Sequence, residues 1–447
     1  MTDDVLAGDY TANGRNGRAP KPVYGNRAIW SWAFYDFANS PFTTLVITFV
    51  YATYFTQVIA PDPITGTALW SRAITVTALI TAICSPLLGA LADRGGYRKA
   101  FVLAFSLVCV LATAALYQVL PGQVAVALIL VVIANLGYEF ATVFYNAFLP
   151  DISPPGRIGR ISGYGWALGY AGGLLALLLA LVALVQPEVP WFGFGTEAGE
   201  NIRATNLLTA AWFALFTLPF LLWVPEDRSA TSDRGRVFGD AVRQLRETFA
   251  EIRRYRQIVR LLVARFFYNN GLVTVIAFGG IYAAESFGFT LQEVLIFGIA
   301  LNVAAGAGAL AMGHLDDRIG GKRTIVISLI GLGLATVLAI MATDKLWLWA
   351  AGVIIGIFLG PNQAASRSLM GRFVPGEKEN EFYGFFAFSG KLTAFLGPFL
   401  LGILTQWTGS QRWGVSVVLV MFAAGLVLLI PLDEREGIAR AGRGGAT

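Results

Sequence analysis

The sequence predicts an all-α polytopic membrane protein: twelve transmembrane helices arranged as two pseudo-symmetric six-helix bundles. Three observations carry that prediction. Of 447 residues, 56% are hydrophobic and only 14% charged, against about 25% charged in an ordinary soluble protein, so there is too little polar surface to cover a water-facing globule. Apolar runs long enough to cross a hydrocarbon core of about 30 Å recur along the chain, each bounded by Pro, Gly or a charge cluster. One loop pattern is written twice, as GALADRGGYRK at Gly89–Lys99 and GHLDDRIGGKR at Gly313–Arg323, with G-x-L-x-D-R-x-G-x-[KR]-[KR] common to both.

Taken in order, residues 1–27 are polar and start acidic, with no apolar run before Ile29, so they read as a cytoplasmic tail and not as a cleavable signal peptide. Residues 28–224 hold the first six spans, at roughly 28–60, 69–92, 100–120, 123–148, 163–185 and 204–224. Residues 225–257 are the one long polar insertion between spans. Within it Phe238, Val242, Leu245, Phe249 and Ile252 recur at helical spacing among Arg243, Arg246, Arg253 and Arg254, the pattern of a basic amphipathic helix lying on the inner leaflet. Residues 258–431 hold the second six spans, at roughly 258–284, 292–313, 324–343, 345–371, 382–406 and 412–431, and 432–447 form a second cytoplasmic tail.

Orientation follows from the basic residues, because cytoplasmic loops retain Lys and Arg. Arg94, Arg98, Lys99, Arg157, Arg160, Arg318, Lys322, Arg323, Arg372 and Lys378 fall on the side shared with both tails and the insertion, whereas Arg72, Arg203, Lys345 and Arg412 fall on the other. The net charge of +5 therefore reports topology and attraction to anionic lipid; membrane lipids are expected partners and nucleic acid is not. Cys84 and Cys109 both lie inside spans and read as buried thiols. The compact loops favour the inner membrane of a bacterial cell.

With the insertion as boundary, the doubled loop falls between the second and third span of each half. A second echo opens the fifth span of each: SGYGWALG carries Gly163 and Gly169, and YGFFAFSG carries Gly384 and Gly390. The doubled loop resembles the signature of the major facilitator superfamily. WAFYDFANSPF, GRISGYGWALGYAGG, ARFFYNNGLVTVIAFGGIYA and GPNQAASRSLM resemble its vacuole-effluxer-like branch, whose fungal namesake exports amino acids from the vacuole after autophagy. Where that branch often has Tyr-Asn-Asp-Gly, this chain has Tyr268-Asn269-Asn270-Gly271, so the resemblance gives no proton-linked acid there. The resemblance implies transport between two rocking bundles, and a gating role for Asp93 with Arg94 and for Asp317 with Arg318. Physically, a carboxylate at one helix end can approach the positive N-terminus of a neighbour.

Ionisable residues inside spans are costly and face a cavity or one another. Asn135, Glu139, Thr142 and Asn146 draw one polar stripe down the fourth span, and Asp36, Asn39 and Thr43 another down the first. Arg265 and Lys391 lie roughly 12 Å inside the seventh and eleventh spans, and are expected to face Asp36 and Glu139 across the seam. Arg367, at a spacing of four from Gln363, is expected to snorkel to the interface. Asp36, Asn39, Asn135, Glu139, Asn146, Arg265, Asn269, Gln363 and Lys391 are thus the candidate substrate-binding residues, with Glu139 and then Asp36 as candidate proton carriers. Charges of both signs across one seam suit a zwitterion such as an amino acid or betaine; mutual pairing as a structural lock is the alternative. Trp30, Trp70, Trp347, Trp349 and Trp413 read as interface anchors, and Gly360-Pro361 as a kink in the tenth span.

The expected function is secondary active transport of a small polar solute by a monomer, with protons as a possible co-substrate. No catalytic residue, metal set or cofactor is expected: the chain has one histidine, His314, no paired metal ligands and no phosphate-cradling loop. A sugar or drug exporter, favoured by the aromatic and polar Tyr138, Tyr145 and Asn146, and a non-transporting receptor or scaffold remain as alternatives.

Overall fold

The computed structural model describes residues 24–226, 236–392 and 394–442, so most of the first tail lies outside the described residues. Twelve helices have the length and composition to cross a bilayer. They are α1 (Asn26–Ile59), α2 (Pro63–Gly95), α3 (Arg98–Gln118), α4 (Val124–Ile152), α5 (Ile158–Val185), α6 (Glu197–Trp223), α7 (Ile252–Phe287), α8 (Gln292–Ile319), α9 (Gly321–Met341), α10 (Lys345–Phe373), α11 (Glu379–Thr408) and α12 (Gln411–Leu429). The protein is a multi-pass integral membrane protein. The end carrying the doubled loop is called the basic face below.

Local chemistry sets the helix ends. Asp62 caps α2 by accepting from the amides of Ile64 and Thr65, both at 3.0 Å, with Pro63 supplying a first-turn residue that has no N–H to satisfy. Gly96, at φ +65°, ends the helix in a left-handed turn that a side chain would strain. A second copy of such an N-cap starts α10, where Asp344 accepts from Leu346 and Trp347.

Among the described residues, α1 and α11 depart from regular α-helix near the middle of their spans. In α1, Pro41 offers no N–H to the carbonyl of Phe37, and the indole N–H of Trp212 takes that carbonyl at 3.1 Å instead. Beyond it the helix loosens into a π-helical stretch over Phe42–Phe49. α11 stops at Lys391 and resumes at Leu396. Gly360-Pro361, the expected kink, lies within a continuous helix, α10 running from Lys345 to Phe373 with Gly360 close against the Ala305 carbonyl.

Within the first bundle α1 packs on α5 and α6, and α3 on α4 and α6; in the second, α7 packs on α12, and α9 on α10 and α12. The bundles meet where α2 lies on α11 and α5 lies on α8. The glycine echo has a structural meaning at this seam. Gly163 of α5 abuts the backbone of α8 at Ala309 and Gly313, and Gly384 of α11 abuts α2 at Ser85 and Pro86. Gly169 and Gly390 likewise repeat a contact, the first on α1 at Ser40 and Asp36 and the second on Arg265 of α7. A Cβ at Gly163 or Gly384 would overlap a neighbouring carbonyl, so both seams need glycine.

A third repeat emerges only in three dimensions. Glu226, after α6, accepts the Lys99 amide at 3.0 Å, while Lys99 Nζ donates to the Val224 carbonyl. Glu434, after α12, accepts the amides of Gly321 and Lys322 at 2.9 Å, while Lys322 Nζ donates to Ile430 and Leu432. The stretch read as a plain tail therefore contains a docked helix, Glu434–Arg440. Its Glu436 bonds Arg256, Gln257 and Arg440, and the Arg256 guanidinium holds that carboxyl down at about 2. A depressed carboxyl stabilises the docked form above the ordinary glutamate range and loses that contribution only as pH falls toward its folded value. Docking of this helix should therefore persist at pH 4 and fail near pH 2 or in high salt, which hydrogen exchange of residues 434–440 checks.

The insertion forms a helix over Val237–Ala250 followed by a short 3-10 turn, Ile252–Tyr255. Its protein-facing side is Val237, Ala241, Gln244 and Thr248, set against α2 and the start of α11. Phe238 and Phe249 are 63% and 58% exposed, so the apolar stripe lies beside the packed face instead of on it. Trp70 corrects another expectation: it is buried against Phe55 and Tyr51, whereas Trp30, Trp347 and Trp413 are exposed.

Candidate functional site

At the basic face the doubled Asp makes the same contact twice. Asp93, at the end of α2, accepts from the Asn380 amide at 3.2 Å, its side-chain Nδ2 at 2.7 Å and the Glu381 amide at 2.9 Å. Asp317, at the end of α8, accepts from the amides of Gly159 at 2.7 Å and Arg160 at 3.3 Å. Each carboxylate thus closes on the first amides of a helix in the opposite bundle, where orphan N–H groups and the helix dipole favour negative charge. The partners differ from those expected from the motif. Asp317 pairs with Arg160 at 2.6 Å, while Arg318 is exposed; Arg94 is half-buried. Replacing Asp93 by asparagine puts an amide hydrogen against one donor. That variant should weaken the fastened state by about 1–3 kcal/mol and raise the accessibility of cysteine probes at the basic face.

Residues that sequence reading treats as topology charges are struts in this layer. Arg98 is buried, stacked 3.7 Å over the Phe148 ring, and bonds the Ala147 carbonyl, Asp151 at 2.9 Å and Glu379 of the other bundle at 3.2 Å. Arg372 pairs with Asp316 at 2.6 Å, and Asp316 also accepts from Ser368. Nothing in the linear sequence distinguishes these basic residues from loop charges, because the distinction is which carboxylate the tertiary fold brings to them.

Deeper in the seam, Arg367 overturns the snorkelling expectation. It is only 3% exposed and reaches from α10 into the other bundle: Nη1 donates to Asp36 at 2.8 Å and Asn146 at 3.2 Å, Nε to Ser162 Oγ at 3.0 Å and Nη2 to the Ser162 carbonyl at 2.7 Å. The rings of Trp32, Tyr145 and Trp166 surround the guanidinium at 4.9–5.9 Å. A cation with four satisfied bonds and aromatic faces around it has more to lose in lipid headgroups than it gains. The Cβ missing at Gly165 would fall within 2.5 Å of Asp36 Oδ2 and 2.7 Å of Arg367 Nη2.

The second deep pair joins Glu139 of α4 to Lys391 of α11 at 2.5 Å, again across the seam. Lys391 is the last residue of the inner α11 segment, about 18 Å from Glu379 by helix rise, close to mid-membrane. Its side chain remains 37% exposed, so the pair stands at the rim of the fastened region. Between α5 and α10, Gln363 accepts from Tyr170 at 2.7 Å, a third polar link between bundles in this region.

The other candidates are placed differently. Arg265 does not face Asp36 or Glu139; it donates to the Phe386 carbonyl at 2.7 Å and Ser389 at 3.0 Å and stacks 3.7 Å over Phe386, all in its own bundle. The inner end of the α11 break supplies those acceptors, which is why the arginine turns there. Asn269 donates to Gly390 within the same bundle, and Asn39 and Asn135 are buried. Thr142 and Thr43 return their hydroxyls to their own helices, at Tyr138 and Ser40. The outer halves of α1 and α11 each pack on their own bundle. The bundles are therefore fastened at the basic face and up to the Glu139–Lys391 layer.

Residues 63–157 and 155–442 match the family described as vacuole effluxer Atg22 like. The chain is 28% identical over 407 residues to an MFS-type transporter of Bacillus subtilis, YxiO, covering 90% of this chain and 94% of that one. It is 23% identical to autophagy-related protein 22 of Coccidioides immitis, over 82% and 72% of the two chains. Among solved structures it resembles the human organic anion transporter MFSD10 with a TM-score of 0.71 at 12% identity, covering 90% and 99% of the chains. It also resembles the major facilitator transporter FucP in its outward conformation, at 0.67 and 15%, covering 90% and 97%. With the family match running through both bundles and the fold shared with solved major facilitator transporters, this protein belongs to the vacuole effluxer Atg22-like family and is a membrane transporter of the major facilitator type.

Proposed function

We propose that the protein is a secondary active transporter that moves an amino acid or a related zwitterion by alternating access, as a monomer in the inner membrane of a bacterial cell, with the basic face and both termini in the cytoplasm. The observation that carries this reading is the Glu139–Lys391 pair. It crosses the seam near mid-membrane, it stands at the rim of the fastened layer, and its lysine is still partly exposed. A zwitterion can replace each partner with its own opposite charge: its carboxylate takes Lys391 and its ammonium takes Glu139, so neither buried charge is left alone. Gln363, bonded to Tyr170, and Asn146, bonded to Arg367, add neutral hydrogen-bonding groups along the same seam.

Loading from the open side then favours closure there, and the Asp93, Asp317, Arg98 and Arg367 contacts part at the basic face. A proton arriving on Glu139 would free Lys391 for the substrate carboxylate, and Asp36 could do the same for Arg367. The exposed Phe238 and Phe249, with Arg243 and Arg246, support a linker helix resting on anionic lipid of the inner leaflet. Nucleic acid is not among the proposed partners.

The test is uptake by proteoliposomes of radiolabelled amino acids, betaines, sugars and drugs, with and without an imposed pH gradient. Saturable flux of a zwitterion, with Glu139→Gln losing its dependence on the gradient, supports the reading. Flux confined to sugars or drugs moves the substrate class, and no flux of any of them points to a receptor or scaffold.

A further inference from the structure

The two latches are copies that differ in the sign of one side chain. At the α8–α5 latch, the second amide to reach Asp317 belongs to Arg160, whose guanidinium then pairs with the same carboxylate at 2.6 Å. At the α2–α11 latch, the equivalent amide belongs to Glu381, so a second carboxyl group is brought to the helix end that already holds Asp93. A helix N-terminus presents about half a positive charge, which suits one carboxylate and not two.

The surroundings of Glu381 do not make up the difference. Its side chain is fully buried, at 0% exposure. From the linker helix, Gln244 donates to Oε2 at 2.5 Å, and the Thr248 hydroxyl lies against the carboxyl while accepting from Lys378 Nζ at 2.9 Å, which brings one ammonium to the edge of the site. From α11, Glu379 is paired with Arg98 and Asn380 with Asp93; from α2 come Asp93 and Arg94. Glu381 Oε1 has no hydrogen-bond partner among the described residues. Three other buried acids of the basic face are matched to a guanidinium, Glu379 to Arg98, Asp316 to Arg372 and Asp317 to Arg160. Glu381 forms no ion pair among the described residues: it has the Gln244 amide and the Thr248 hydroxyl, with Lys378 held by that hydroxyl, and an amide can donate to a carboxylate or accept from a carboxyl O–H.

We propose that Glu381 is a proton-binding site of the gate: it carries a proton while α2 and α11 are fastened and releases it to water at the basic face when they part. The balance is one carboxyl O–H becoming a carboxylate and one proton entering that water. The fastened form thus binds one proton more than the open form, so acid at the basic face favours fastening and alkali favours opening, by up to about tenfold in the open-to-fastened ratio per pH unit. The proposal rests on the alternating cycle above, but on none of its substrate chemistry.

The experiment uses the full chain in liposomes without substrate, with spin labels at the exposed Arg157 and Arg435 reporting the separation of the bundles across a pH series. In the native chain the long-distance population should grow with pH. In Glu381→Gln the profile should flatten in the fastened state, and Glu381→Arg, which installs the charge of the other latch, should hold it fastened throughout. His314→Gln should retain the native profile. A Glu381→Gln profile that tracks the native one overturns the proposal. So does a flat profile in the native chain, which decides the matter even if the variants do not fold.

Discussion

Substituting Arg367 by methionine is expected to cost about 3–5 kcal/mol of the fastened state, because it leaves the Asp36 carboxylate buried without its cation. Asp36 would have to take a proton, recruit water or move outward, and each route pulls α1 away from α10. Asp36→Asn should cost less, since Asn146 and Ser162 still bond the guanidinium. The double variant should recover a large part of the loss, as removal of both charges leaves neither stranded. Thermal unfolding and bundle-to-bundle distances of the two single variants and the double variant check this; strictly additive effects would show that the pair is not coupled. Gly165→Ala should act on the same pair from a third helix, by filling the space its two polar groups occupy.

Loss of Lys391 should have the largest effect on solute handling. Truncation to alanine removes a partly exposed cation of the deep layer and strands Glu139, with an expected loss of about 2–5 kcal/mol. That corresponds to a fall in zwitterion affinity of about thirtyfold or more. Lys391→Arg should keep part of the affinity, because charge is retained while the ammonium's compact geometry is not. Direct binding of labelled solute to purified protein separates this effect from a gating defect, which would alter rates and leave affinity in place.

Much of the architecture was legible because membrane spans are written in composition and length, which do not depend on what they touch. The repeat was legible for a related reason: the two Asp residues, like the paired glycines Gly163 and Gly384, perform the same contact in both halves. What the sequence did not disclose was pairing. Asp36, Glu139, Arg265, Arg367 and Lys391 all stood out as intramembrane charges, yet depth along a helix cannot decide which of three cations meets which acid. Arg367 lies about 9 Å from the end of α10, within range of a snorkelling side chain, and only the position of α1 makes the inward rotamer the better one. Arg265 was drawn off by carbonyl and hydroxyl acceptors near the end of the inner α11 segment; Gly397-Pro398, in the first turn of the outer segment, marks a break there but not which side chain turns to it. The docked tail helix was missed because seven residues give too short a periodic signal.

Both latches are closed by amide hydrogens of the peptide chain, a donor that every residue except proline carries. Recognition of the aspartate therefore has a backbone part that does not depend on which side chains begin the receiving helix, and Asn380 Nδ2 and Arg160 Nε each add a side-chain bond to it. Those positions are free to diverge without unlocking the door, and a duplicated gene could let one of them acquire an acid and the other a base. Asn380→Ala should accordingly keep the latch through the backbone amides while losing its 2.7 Å side-chain bond, and Asn380→Pro, which removes an amide as well, should cost more.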